Sequence, residues 1–376
     1  MSYRIPLSSP DITEAEIAAV TAVLRTNTLS LGRKLDEFEQ VFASFHNMPF
    51  AVAVSSGTAA LHLALLALNV GQDDEVIVPS FTFIAVANAV RYVGATPVFA
   101  DIDADTLNLD ANSVSAAITP RTKAVIVVHT FGVPADMDAL LSVTRHHHLA
   151  VIEDACEAIG AAYKEQFVGT FADISTFAFY PNKQLTTGEG GMLLTRDAGI
   201  ADRLRALRNQ GRYATDDWLQ HSELGYNYRL SELACALGVE QVRRLPSMLA
   251  ARDEVAATYD RLLCGMPNVQ RPPLSLPNCR ISWFVYVIRF DATCTSADRD
   301  QLMAALKRQG IASGRYFAPI HLQPAYADLP GVPTARLDVT EMVAQRTVAL
   351  PFFNKLSPKQ AAEVTNAIAG ALGYGA

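Results

Sequence analysis

The chain has few cysteines and no long apolar run. Cys156, Cys235, Cys264, Cys279 and Cys294 are scattered, with no Cys-x-x-Cys pair. An odd number at irregular spacing argues against a disulfide framework or a zinc site and points to a reducing compartment. No stretch approaches the roughly 20 apolar residues that span a bilayer, and residues 1–11 hold no apolar signal core. The expectation is a cytoplasmic protein without a membrane partner. A basic block is missing too, since 31 Lys and Arg face 38 Asp and Glu, for a net charge of −7. Nothing is then present to neutralise a phosphate backbone, which argues against nucleic acid as a partner.

What is present is the make-up of a folded enzyme. Half the residues are hydrophobic, 18% are charged, and no low-complexity tract interrupts the 376 residues. That length predicts a large domain, 1–250, followed by a smaller C-terminal one, 251–376. Ile12, Ile17, Val20 and Leu24 recur at helical spacing behind Pro10-Asp11, and 35–45 is a second amphipathic segment. Short Val- and Ile-rich runs follow at 51–54, 76–78, 97–100, 124–128, 150–152, 176–179 and 192–195. Helical segments at 59–68, 82–90 and 137–145 lie between several of them. The alternation predicts a three-layer α/β/α fold around a largely parallel sheet buried on both faces. Beyond 200 the texture is helical, with a long segment at 230–263 that contains the domain boundary. A proline-rich crossing at 267–277 follows, then a half-exposed strand at 283–290 and helices at 297–309 and 358–372. The C-terminal domain therefore reads as α+β.

Three motifs carry chemistry. Phe177-Ala-Phe-Tyr-Pro-Asn-Lys183 follows a buried strand, and Pro181 takes the chain out of regular structure just before the lysine. A lysine withdrawn from water there can present a neutral amine able to form an imine. Read alone, it can equally be a surface lysine in a glycine turn. Val54-Ser-Ser-Gly57-Thr58-Ala59 opens a helix after a strand, where free N–H groups suit a phosphate. Val151-Ile-Glu-Asp154 puts an acid at the C-terminal end of an apolar strand, the ligand-binding end of an open α/β sheet. Its structural alternative is a helix cap. Taken together, phosphate turn, acid and lysine fit pyridoxal 5′-phosphate (PLP): the lysine as imine partner, the acid against the pyridine nitrogen.

These motifs, with Leu224-Gly-Tyr-Asn227-Tyr-Arg229 and Phe317-Ala-Pro-Ile-His321, resemble those of the DegT/DnrJ/StrS sugar aminotransferases, within PLP fold type I. The resemblance runs over nearly the whole chain. It implies that Lys183 forms the imine and Asp154 partners the pyridine nitrogen. It implies too that Gly57, Thr58 and Ala59 cradle the phosphate and Phe83 stacks on the ring. Glu157, three residues after the acid, takes a cofactor-contacting position often held by Gln or His. Asn227 and Arg229 belong to a segment that reaches the phosphate in the other subunit, which implies a homodimer with shared sites.

His321 and Tyr316 are candidates for the substrate, and the cycle runs between PLP and its amino form, PMP. The implied reaction moves an amino group from glutamate or glutamine to a nucleotide-linked keto sugar. The Glu157 variant leans toward perosamine-synthase-like 4-keto sugars, for polysaccharide or glycoconjugate synthesis. The alternatives are a keto-cyclitol aminotransferase and a non-catalytic PLP-binding regulator.

One departure is Ala178, where relatives carry a phosphate-binding serine; Ser175, Thr186 or water is the expected substitute. The run Arg145-His146-His147-His148 reads as a solvated helix end, so no metal is expected. His129 is a further candidate for the cleft. Arg33, Arg212 and Arg315 can each hold a diphosphate or a donor carboxylate.

Overall fold

A computed structural model describes residues 3–327, 329 and 336–374. Helices α1 (Glu14–Leu24) and α2 (Arg33–Phe45) open the chain. Strands and helices then alternate: β1 (Phe50–Val54), α3 (Gly57–Ala67), β2 (Glu75–Pro79), α4 (Ala85–Tyr92), β3 (Thr96–Ala100), α5 (Ala111–Ala117), β4 (Thr122–Val128), α6 (Met137–His146) and β5 (Ala150–Asp154). Short strands β6 (Ala162–Tyr163) and β7 (Gln166–Phe167) precede β8 (Ile174–Ala178), β9 (Gly191–Thr195) and α7 (Ala198–Arg208). The long α8 (Glu232–Leu263) leads to β10 (Val269–Gln270), β11 (Cys279–Arg280), β12 (Tyr286–Phe290), α9 (Ser296–Arg308), α10 (Asp338–Ala344), β13 (Thr347–Leu350) and α11 (Pro358–Ala371).

The seven apolar runs expected as strands form one seven-stranded sheet, ordered β1-β9-β8-β5-β4-β2-β3. All its pairings are parallel except the two made by β9, which runs against β1 and β8. Side chains alternate between the faces: Val52 and Val54 join one apolar cluster with Ile126 and Ile152, while Ala51 and Ala53 join another with Phe177. Helix α3 is buried on nearly every side, against the sheet, α4 and α7, so its sequence is apolar all round. A separate cluster gathers Val255, Tyr259, Tyr286, Ile288, Leu302, Val364 and Ile368 around the antiparallel sheet β10-β12-β13. Ile5, near the start of the chain, packs into this second cluster and bridges to Ile311. Helix α8 spans both regions without a break, although Pro246 lacks the N–H that would bond one turn back.

Two expectations are corrected. Helix α1 exists, but Ile17 and Leu24 are 50% and 60% exposed, and its buried residues are Glu16 and Val23. A polar clamp sets that face: Glu16 accepts from Gln241 and Arg244 of α8. Thr13 rather than Pro10-Asp11 starts the helix, in a capping box with Glu16. The 283–290 segment is not half-exposed; Trp283 through Ile288 and Phe290 are buried, because the β12 strand lies between two layers.

Candidate active site

Between the end of β8 and the start of β9 the chain makes a twelve-residue excursion over the C-terminal ends of the parallel strands. Its base is closed by Phe179 N–H donating to the Gly190 carbonyl (2.9 Å) and Thr187 N–H to the Phe179 carbonyl (3.0 Å). Gly191 is required there, since a Cβ would stand 2.4 Å from the Ser56 carbonyl oxygen. Lys183 hangs from this loop with its side chain only 13% exposed, so it is not a surface lysine. Its Nζ stands 3.6 Å from Glu157 Oε1 and 4.1 Å from the centre of the Phe284 ring.

Asp154 ends β5 and is 6% exposed. No helix follows it, which removes the cap alternative; its Oδ1 accepts instead from the Cys156 N–H at 3.0 Å. No basic side chain among the described residues ion-pairs with Asp154, although a buried carboxylate calls for a cationic partner. Glu157 Oε2 accepts from the Phe131 N–H at 3.0 Å. Burial pushes the Glu157 carboxyl up, Lys183 and the Phe131 N–H oppose it, and Asp154 adds to the rise. Burial and then Asp154 also raise the Cys156 thiol well above its usual range. Burial raises the Tyr316 phenol, with the charge of Glu157 next in effect.

These groups share one cavity of about 560 Å³, whose lining includes Gly57, Thr58, Phe83, Asp154, Glu157 and Lys183. Its size and mostly apolar wall, with a few convergent polar groups, are those of a small-molecule site. The Gly57 and Thr58 N–H groups at the start of α3 donate to no atom of the described residues, whereas Ala59 N–H is taken by Ser56 Oγ at 3.0 Å. Ala59 therefore shapes the turn without a free donor. A Cβ on Gly57 would meet that of Ala178 at 2.6 Å, so strand and helix approach as closely as they can. Phe83 is 62% exposed at the cavity edge.

Tyr316 and Arg315 also line the cavity, and Arg315 is held at 2.7 Å by Asp300. Other candidates lie elsewhere. His321 is outside the lining, with Nδ1 2.6 Å from Ser80 Oγ and Nε2 3.3 Å from Glu341. His129 is corrected: it is fully buried, taking Ala135 N–H on Nδ1 and donating from Nε2 to Glu153. Asn227 bridges to Asn209, and Arg229 donates to the Asn209 side chain, away from the cavity. Arg33 is exposed at the start of α2, and Arg212 stacks on Trp218 at 5.3 Å in a different hollow. The expected substitutes for a serine at 178 are corrected as well. Ser175 lies three residues back on the strand, hence on the opposite face, and bonds Glu153; Thr186 donates to the Phe179 carbonyl. Sequence reading missed Tyr180, Asn182 and Phe284, all in the lining. The first two lie within three residues before Lys183 and carried a positional signal. Phe284 comes from a distant part of the chain and carried none.

A family model described as the DegT/DnrJ/EryC1/StrS aminotransferase family matches residues 10–369. The chain belongs to that family. It is 43% identical to the GDP-perosamine synthase of Caulobacter vibrioides over 333 residues, 87% of this chain and 88% of that protein. It is 39% identical to the spore coat polysaccharide biosynthesis protein SpsC of Bacillus subtilis, covering 98% of this chain and 97% of the relative. The solved structure of Spr1654 from Streptococcus pneumoniae in its PLP-form superposes with a TM-score of 0.92 at 29% identity, covering 98% of both chains. This DegT-family protein is thus a PLP-dependent sugar aminotransferase of fold type I. The residues present fit that cofactor: a lysine amine, a carboxylate lacking a cation and two undirected N–H groups face the same space. Among the described residues no helix is long and apolar enough to cross a membrane, and no cluster of His, Cys, Asp or Glu could hold a metal ion.

Proposed function

We propose that this aminotransferase carries the amino group of glutamate or glutamine to a 4-keto sugar linked to a nucleotide, supplying an amino sugar for polysaccharide or glycoconjugate synthesis. The observation that carries the reading is the convergence of Lys183, Asp154 and Glu157 on one cavity beside the open turn at Gly57. The likeness to a perosamine synthase, together with the carboxylate at 157, supports the 4-keto sugar. PLP supplies a carbon that condenses with amines and a ring that accepts the electron pair released from the donor.

The chain's own groups then divide the work. Lys183 Nζ would hold the cofactor, and its amine is the base placed to take the proton from the donor carbon. Asp154 holds a proton on the pyridine nitrogen, which keeps the ring electron-poor. The Gly57 and Thr58 N–H groups bind phosphate at the positive end of α3. Phe83 would cover the cofactor ring, and Glu157 would contact the cofactor beside Lys183. Tyr316 and Arg315 orient the substrate, the guanidinium toward a carboxylate or diphosphate. His321 enters only if its Ser80 and Glu341 contacts give way. Asn227 and Arg229 serve the site of a second copy, in a homodimer. The chain divides at residue 250 into units 1–250 and 251–376, a reading supported by the separate apolar cluster of the C-terminal region.

The test offers the purified protein, loaded with PLP, a 4-keto nucleotide sugar or a keto-inositol, each with glutamate and with glutamine. Amine formation on the nucleotide sugar is expected. Preference for the keto-inositol would replace the acceptor with a keto-cyclitol of the aminoglycoside type.

A further inference from the structure

Arg252 lies in the C-terminal half of α8 and is 2% exposed, with no carboxylate paired to it among the described residues. A guanidinium is seldom buried without one. Its donors go to backbone carbonyls instead. Nη1 donates to Trp283 and Phe284, both at 3.2 Å, and Nη2 to Lys183 at 3.1 Å. Nε is buried with no partner among the described residues. Burial draws the group down to about 10, with the charge of Asp11 opposing, so it remains a cation at neutral pH.

The three carbonyls belong to two segments that meet at the cavity. One is the loop carrying Lys183; the other leads into β12 and carries Phe284, whose ring faces the lysine amine. Gln184, the next residue, ties the same two segments together, its Nε2 donating to Glu157 (2.6 Å) and Ser282 (3.2 Å) carbonyls. Arg252 itself is absent from the cavity wall. A planar fork can hold two carbonyls at a set separation in a way a single ammonium cannot.

We propose that Arg252 is a positioning residue, which fixes the Lys183 amine against the Phe284 ring by holding the backbone carbonyls of both residues in one guanidinium fork. Its significance for catalysis rests on Lys183 being the reacting amine; the geometry it sets does not. The ring centre stands 4.1 Å from the Lys183 amine, and the ring holds it by attraction to its negative face. Release of the ring therefore makes the amine more available.

The experiment acylates the cofactor-free full-length chain at fixed pH and reads Lys183 by peptide mass spectrometry, with exposed Lys355 as internal control. Arg252→Lys and Arg252→Gln are compared with Phe284→Leu and with the Arg252→Lys/Phe284→Leu double variant. Each single change is expected to speed Lys183 labelling by roughly 3- to 30-fold, the span of a cation–ring contact. The double variant is expected to add little, because both changes undo one contact. Unchanged labelling in both folded Arg252 variants, or additive effects in the double variant, would overturn the proposal. Failure of both Arg252 variants to fold would overturn it too, by making the residue a stability element. In the loaded enzyme, kcat should fall with donor KM unchanged. Absence of any turnover in the unmutated chain would count against the aminotransferase reading, and the labelling comparison would stand apart from it.

Discussion

Asp154 reaches the cavity with one oxygen engaged by the Cys156 N–H and, among the described residues, no basic side chain ion-paired to it. Replacement by asparagine keeps the size and removes the charge proposed to hold a proton on the pyridine nitrogen. Asp154→Asn is expected to retain the cofactor but to lower kcat by roughly 100-fold or more, read under saturating donor. Normal turnover would take the carboxylate out of the mechanism. At Ala178 the prediction runs the other way. A hydroxyl there would face the open N–H groups of α3 across the closest approach of strand and helix. Ala178→Ser is expected to tighten PLP retention by about tenfold, the worth of one hydrogen bond to a charged group. Equilibrium dialysis measures it, and weaker retention would mean that the added oxygen clashes with Gly57.

Among the elements, α1 depends on a titrating group. Burial raises the Glu16 carboxyl, but hydrogen bonds from Thr13, Arg244 and Gln241 outweigh it and bring the group down from 4.5 to about 2. A depressed carboxylate stabilises the fold above its unfolded value, and that contribution is lost as pH falls from about 4.5 through about 2. Amide exchange in α1 should therefore quicken over that interval, ahead of β4 and β5, and Glu16→Gln should abolish the pH dependence. Uniform exchange across the chain would contradict a local clamp.

The same helix marks where sequence reading stopped. The seven sheet strands were legible because strands buried on both faces must be apolar throughout, Asp154 because it ends such a strand, and Lys183 because it lies in the loop that follows one. The inward face of α1 was not, since the pairing of buried Glu16 with the half-buried Arg244 outweighs the spacing of Ile17 and Leu24. Two-residue strands such as β6 and β10 are too short for any period to register. Phe284 joins the site only through the fold, which brings a residue of the C-terminal region onto a lysine of the first.

For the whole molecule, the placement of Arg229 away from its own cavity bears on the proposed homodimer. Ile17, Leu24, Leu29, Trp218 and Leu224 are all exposed large apolar residues, surface of the kind a second copy can cover. If sites are shared, Lys183→Ala and Arg229→Ala are each impaired alone, yet a hybrid of the two holds one intact site. Co-refolded in equal amounts, they are expected to recover about a quarter of normal activity by random pairing of subunits. Mixtures no more active than the separate variants would argue that each chain works alone.

The reversed direction of β9 has a consequence for how the lysine keeps its address. Because this strand is hydrogen-bonded on both sides, to β1 and β8, its alignment is read twice. Removing a single residue between 179 and 190 and letting β9 slide to compensate would turn Met192 and Leu194 toward the wrong layer and carry Gly191 off the Ser56 carbonyl. A one-residue change in the loop is thereby opposed along both edges of β9, so the chemistry at this position is more readily altered by exchanging side chains than by such an insertion or deletion.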